Sequence, residues 1–237
     1  MNRKIERIGY TQAGGGRHFP KTNKVQLSWR DTSTPQSSSK LRTSTYDYAL
    51  VSAPFSVVRS WRLPSSLPTT ITNAINKLGY STACKVALEY STRFWEHYPN
   101  PIAGGCSTTT DIPFIGSICY PSYNMNGTGK ATILASYVSG VDYWPGSLSE
   151  EEHVKYVLDA MTEIHGEATR KLYTGKYNRR CWHEDPLEAG SWAEPTVGQH
   201  QLYIPEYFKT YDGVSSPFSL LRLACLGKVL MLTDGCS

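Results

Sequence analysis

The sequence predicts an α+β domain, α/β-like in its alternation, with a mixed sheet flanked by helices. Two observations carry this. Short runs rich in valine and aromatic residues alternate as strands do, the fullest being Ala83-Cys84-Lys85-Val86-Ala87-Leu88-Glu89-Tyr90. Two segments, 68–78 and 150–165, space their apolar residues at helical intervals. Strands and helices that alternate along a chain pack as helices on a sheet.

Residues 1–23 contain Gly14-Gly15-Gly16 and mixed charge without a period, and read as irregular. The stretch 24–29 alternates and reads as a strand; 31–44 is rich in Ser and Thr and reads as a loop. Residues 46–54 read as a buried strand stopped by Pro54, the second arm of a hairpin. Pro68 suits the first turn of a helix, Ile71, Ala74, Ile75 and Leu78 share one face, and Gly79 is a stop. The Lys85 strand follows and ends at Phe94-Trp95. A loop over 99–113 leads to two strands, 115–120 and 131–138, around a turn-rich 121–129. Ser149 with Glu152 forms a capping box for the helix 150–165, and Glu150, Glu151 and Glu152 sit at the positive end of its dipole. Val154, Val157, Leu158, Met161 and Ile164 line one face. Gly166 interrupts, a short helix runs on to Leu172, 176–182 reads as a strand, and 192–207 as an aromatic-rich loop.

Composition narrows the function classes. Of 237 residues 40% are hydrophobic and 19% charged, which marks a globular chain. A net charge of +4, with Lys and Arg scattered, gives no footprint for nucleic acid. No apolar run is long enough to cross a bilayer. The charged start of the chain lacks the apolar core of a secretory signal, so an intracellular location is expected. Six cysteines show no CxxC spacing and no nearby histidine pair, so neither a zinc site nor a disulfide framework is expected.

Lys85 is the residue that asks for an explanation. An ammonium within so apolar a strand is costly unless it is paired, reaches water or loses its proton. A head that snorkels out at the strand edge is the ordinary alternative.

The run around Lys85, with its Phe94-Trp95 end, resembles the segment of flavin-dependent amine oxidases that carries their active-site lysine. Further matches follow in the family's order. Residues 46–54 with Val57-Val58-Arg59 resemble a flavin-domain strand. Ser117-Ile118-Cys119-Tyr120-Pro121 resembles a strand end where L-amino-acid oxidases place a tyrosine. Tyr177-Asn178-Arg179-Arg180-Cys181-Trp182 resembles the strand whose tryptophan packs near the flavin. Glu188-Ala189-Gly190-Ser191-Trp192 resembles the segment of monoamine oxidases with the flavin-linking cysteine, and 204–208 the run toward the last flavin-binding strand. Trp-Arg-Asp at 29–31 and Gly-Gln-His at 198–200 look like the L-amino-acid oxidase branch found in fungi.

The resemblance implies oxidative deamination of an L-amino acid or amine to an imine, with oxygen reduced to hydrogen peroxide. It implies Lys85 as the catalytic lysine, Tyr120 and Trp192 as substrate-binding residues and Trp182 as a cofactor-binding wall. It implies FAD held without a covalent link, because Ser191 stands at the cysteine position. It further implies an organisation in which 24–66 is a strip of the FAD domain, 67–192 the substrate domain, 193–211 a return segment and 212–237 a tail outside the family pattern. The family's G-x-G-x-x-G turn and its C-terminal flavin run have no counterpart, so a truncated chain, inactive alone, is the expectation. Half of an oxidase completed in trans, a homo-oligomer and a non-catalytic amino-acid-binding module are the alternatives. Arg59 and Arg93 lie outside the segment that clamps the substrate carboxylate in this family.

Overall fold

The structure is a computed structural model and describes residues 3–12, 23–33, 39–109, 111–140, 147–209 and 211. Gly14-Gly15-Gly16 and the tail from 212 on lie outside the described residues. The described residues fall into two units. One comprises those up to Tyr80, with Pro186–Ala189 and those from Ala193 on; the other comprises Ser81–Asp185 with Gly190–Trp192.

The first unit carries a three-stranded antiparallel sheet in the order β1-β2-β3: β1 Arg3–Gln12, β2 Asn23–Asp31 and β3 Arg42–Tyr46. The irregular reading of 1–23 is therefore corrected over β1. Its apolar period is hidden by a bulge between Ile5 and Arg7, which turns both Ile5 and Ile8 inward although they are three apart. The hairpin also pairs differently from the sequence expectation. Strand β2 pairs with 42–46, and its ladder with β3 stops where Val25 meets Tyr46, so 47–54 runs on outside that ladder, burying Ala49, Val51 and Ser52 and leaving Asp47 and Tyr48 exposed. The short helix α1, Phe55–Val58, comes next, followed by α2, Thr69–Lys77.

Helix α2 buries Ile71, Ala74 and Ile75, the face its spacing predicts. Arg59 closes its C-terminal end: Nε donates to the Ile75 carbonyl at 2.6 Å and a second nitrogen donates to the Leu78 carbonyl. Those carbonyls lack helical partners, and a cation there also meets the negative end of the dipole. Residues 51–58 bury Val51, Phe55 and Val58, and Phe55 stacks on Tyr207 at 4.0 Å. Val51, Phe55 and Val58 line a cleft of about 440 Å³ with Ile8 and Trp61. The expected loop 192–207 contains helix α5, Gln199–Tyr203, whose first residue reaches back: Gln199 Oε1 accepts from the Gly79 N–H at 2.8 Å.

The second unit is a five-stranded sheet in the order β5-β6-β7-β4-β8: β4 Ala83–Tyr90, β5 Cys106–Thr108, β6 Ser117–Cys119, β7 Ala131–Ser139 and β8 Tyr173–Cys181. The α+β class holds. Among the described residues all ladder pairs are antiparallel, where a mixed sheet was expected, and parallel pairing occurs only as isolated bridges such as Gly116–Tyr137. Gly116 has φ +67°, and a Cβ there would overlap the Tyr137 carbonyl, so the close approach of these two segments needs glycine.

Helix α3, Glu150–His165, has the predicted capping box, with the Ser149 hydroxyl accepting from the Glu152 N–H and Glu152 accepting from the Ser149 N–H. Gly166 stops it at φ +85°, and α4, Ala168–Leu172, leads into β8. Its buried face includes Val154, Val157 and Met161 as predicted, packed with Val86, Leu88 and Tyr90 of β4. Ile164, however, is 41% exposed, and His153 takes a fully buried place. The reason is Arg179 on β8, whose Nε donates to His153 Nδ1 at 3.0 Å while its other nitrogens grip both oxygens of Glu184 at 2.7 Å.

His153 makes stability depend on pH. Burial, reinforced by the Arg179 charge, pushes its pKa from 6.5 down to about 4. Between those values the unfolded chain binds a proton that the folded chain refuses, so stability falls as pH drops from 6.5 toward 4. Melting followed across that range in wild type and His153→Leu is expected to show a shallower slope in the variant.

Two cross-strand disulfides, Cys84–Cys181 and Cys106–Cys119, correct the expectation that the cysteines form no framework. Each pair is set by strand register, Cys84 opposite Cys181 and Cys106 opposite Cys119, and register leaves no spacing signature in the sequence.

Candidate active site

Strand β4 alternates, so Val86, Leu88 and Tyr90 face α3, and Lys85, Ala87 and Glu89 face the other side of the sheet. Lys85 is half-buried there. Its Nζ lies 4.6 Å from the ring centroid of Tyr137 on β7 and 5.3 Å from that of Trp182, which follows β8. Two aromatic faces within about 6 Å are what an ammonium seeks when partly removed from water. The lysine that looked costly in sequence is therefore held by rings rather than by a carboxylate. Tyr137, which sequence reasoning missed, stands directly opposite Lys85 in the β4–β7 register. The only cue was its place in a predicted strand, and register is invisible without the pairing.

Trp182 opens a single 3-10 turn, Trp182–Glu184. Ser191 and Trp192 run beside the start of β4: the Ser191 N–H donates to the Ser81 carbonyl at 2.9 Å, and the Trp192 carbonyl accepts from Ser81 N–H at 3.0 Å. Trp192 is 41% exposed. The Ser191 hydroxyl oxygen is buried and has no hydrogen-bond partner among the described residues.

Tyr120 is placed differently. It belongs to the core on the α3 side, the face opposite Lys85, and Cys119 beside it pairs with Leu134 at a different level of the sheet. Its hydroxyl bonds His165 Nε2 at 2.6 Å, and the Tyr98 hydroxyl bonds Nδ1 of the same ring at 3.2 Å. A neutral imidazole has one N–H, so one tyrosine donates to the ring and the other accepts. Burial pushes the Tyr120 hydroxyl up to about 12 and lowers His165, which keeps the whole cluster neutral. The structure thus brings Lys85 and Trp182 together and does not bring Tyr120 to them. Arg93 is also committed, to Glu96 at 2.6 Å and the Tyr123 carbonyl at 3.1 Å, as Arg59 is to α2.

The sequence profile described as flavin containing amine oxidoreductase matches residues 4–216. The chain belongs to that family. It is 55% identical over 222 residues to an L-amino-acid oxidase of Neurospora crassa, a match covering 90% of this chain and 30% of that protein. An L-amino-acid oxidase of Siganus canaliculatus is 34% identical over 139 residues, covering 58% of this chain and 25% of the relative. Among solved structures, cyclohexylamine oxidase from Brevibacterium oxydans IH-35A aligns with a TM-score of 0.59 at 14% identity, covering 88% of this chain and 40% of that one, which shows a shared fold. The chain thus spans about a third of the length of the relatives it matches.

The Lys85 ammonium over two ring faces suits contact with a flat, polar-edged ring such as a flavin's. Among the described residues no pyrophosphate cradle is seen. No G-x-G-x-x-G turn occurs in the sequence, and the N-terminus of α3 is closed by its own capping box and three glutamates, which repel phosphate.

Proposed function

We propose that this chain carries the substrate side of an L-amino-acid oxidase. The reaction is oxidation of an L-amino acid to its imino acid with reduction of oxygen to hydrogen peroxide; water then releases the keto acid and ammonia. The observation that carries the reading is the Lys85 ammonium held between Tyr137 and Trp182, in a chain 55% identical to an L-amino-acid oxidase.

FAD, bound without a covalent link, supplies the two-electron acceptor when present. Lys85 would hold a water beside the bound flavin and keep its ammonium charge near the place where oxygen is reduced. Trp182 walls that edge, and its ring fixes the direction of the Lys85 side chain. Serine at 191 cannot form the thioether that a cysteine would. Tyr120 as a donor to the substrate carboxylate and Trp192 as a pocket wall rest on the resemblance alone; for Tyr120 the role requires its hydroxyl to leave His165.

Because the described residues offer no phosphate cradle, the chain by itself is expected not to retain FAD. Incubation with FAD, desalting and a visible spectrum should leave no flavin bands. Retained bands would mean that a complete cofactor site forms from this chain, contrary to the proposal.

A further inference from the structure

We propose that the Cys84–Cys181 disulfide is a positioning clamp: from one face of the sheet it fixes the contact between Lys85 and Trp182 on the other. It deepens the oxidase reading, on which its functional meaning rests; the packing it describes stands by itself.

Cys84 opposite Cys181 is the terminal pair of the β4–β8 ladder. Lys85 follows Cys84 and stands opposite Arg180, while Trp182 follows Cys181 just past the end of the ladder, so the two lie diagonally across the cysteine pair. Neighbouring strand residues point to opposite faces, so a bond between the sulfurs on one side sets the spacing of the two side chains on the other. Past Cys181 the backbone leaves the ladder for the turn that begins at Trp182. Among the described residues strand β8 is also the edge of the sheet, paired with β4 alone. An edge strand that ends at its last pair frays unless something ties it.

Ion pairs from Arg180 to Asp185 and from Arg179 to Glu184 also reach this turn. Arg180 is half exposed, so its pair holds geometry weakly, whereas Arg179 is 5% exposed and grips both oxygens of Glu184, a firmer tie but not a covalent one. The disulfide is the covalent and buried one. Cys84 is fully buried and Cys181 4% exposed, packed with Val138, and an imidazole nitrogen of His153 lies within 4.8 Å of both sulfurs. A crosslink so enclosed leaves the strand end little freedom to slide. The second disulfide, Cys106–Cys119, joins β5 and β6 at the far side of the sheet and serves as the control.

The test is carbon-13 reductive methylation of the lysines followed by NMR. Methylated Lys85, identified by the signal lost in Lys85→Arg, should lie upfield of the other lysines because of the Tyr137 and Trp182 ring currents. In Cys84→Ala/Cys181→Val that signal should return to the main lysine envelope, while in Cys106→Ala/Cys119→Val it should stay upfield. An unmoved signal in a folded Cys84→Ala/Cys181→Val protein would overturn the proposal. Should that variant fail to fold, Cys181→Ser breaks the same bond, and the same two outcomes decide. The oxidase reading is tested separately: no peroxide from L-amino acids in a preparation that retains flavin, with the FAD-binding sequence supplied, and a Lys85 signal that still depends on the disulfide, removes that reading and leaves the clamp.

Discussion

Loss of the Cys84–Cys181 disulfide is expected to lower the stability of its unit far more than loss of Cys106–Cys119. The two bonds close loops of very different length, with sequence separations of 97 and 13. Loop-closure entropy in the unfolded chain grows with the logarithm of that length, giving about 4.7 kcal/mol for the long loop and about 2.9 kcal/mol for the short one. Burial adds to the contrast, since Cys84 and Cys181 sit in the interior and Cys106 is exposed. Denaturant midpoints of the two double variants check this. A larger loss in Cys106→Ala/Cys119→Val would show that packing around the bonds, not chain entropy, governs the unit.

Replacing Lys85 by methionine is the change expected to cost most in activity. Methionine keeps much of the stem's packing against Tyr137 and Trp182 but removes the ammonium. In a preparation that retains flavin, with the FAD-binding sequence supplied, oxygen consumption on an L-amino acid should fall about 100-fold, the scale of one lost acid–base or water-holding group. Turnover with an artificial dye as electron acceptor should change by less than about 10-fold, because the proposed role of Lys85 is in the oxygen step. An equal loss with both acceptors would move Lys85 from the oxygen step to amine oxidation itself.

Much of this architecture is legible in the sequence where local chemistry decides it. The capping box at Ser149 and Glu152, the stripe Ile71, Ala74, Ile75 of α2 and the β4 alternation all hold. What stayed hidden depends on pairing at a distance. The β1 period is broken by a bulge that only its partner strand reveals. His153 reads as a polar residue beside an apolar face until Arg179, brought over on β8, gives its Nδ1 a donor. Both disulfides and the Tyr137 ring opposite Lys85 are products of register. The resemblance located Lys85 and Trp182, which the fold brings together. It also located Tyr120, which the fold turns to the other face of the sheet toward His165.

The central claim, that this chain bears the substrate side of an L-amino-acid oxidase with Lys85 at the flavin edge, is tested most directly by peroxide release. With the FAD-binding sequence supplied so that flavin is retained, wild type and Lys85→Met are offered a panel of L-amino acids, their D-enantiomers and simple primary amines. The account predicts peroxide and keto acid in equal amounts from L-amino acids with wild type, and little of either from D-amino acids or with the variant. Peroxide from the amines with none from any L-amino acid, or full activity without Lys85, would contradict it.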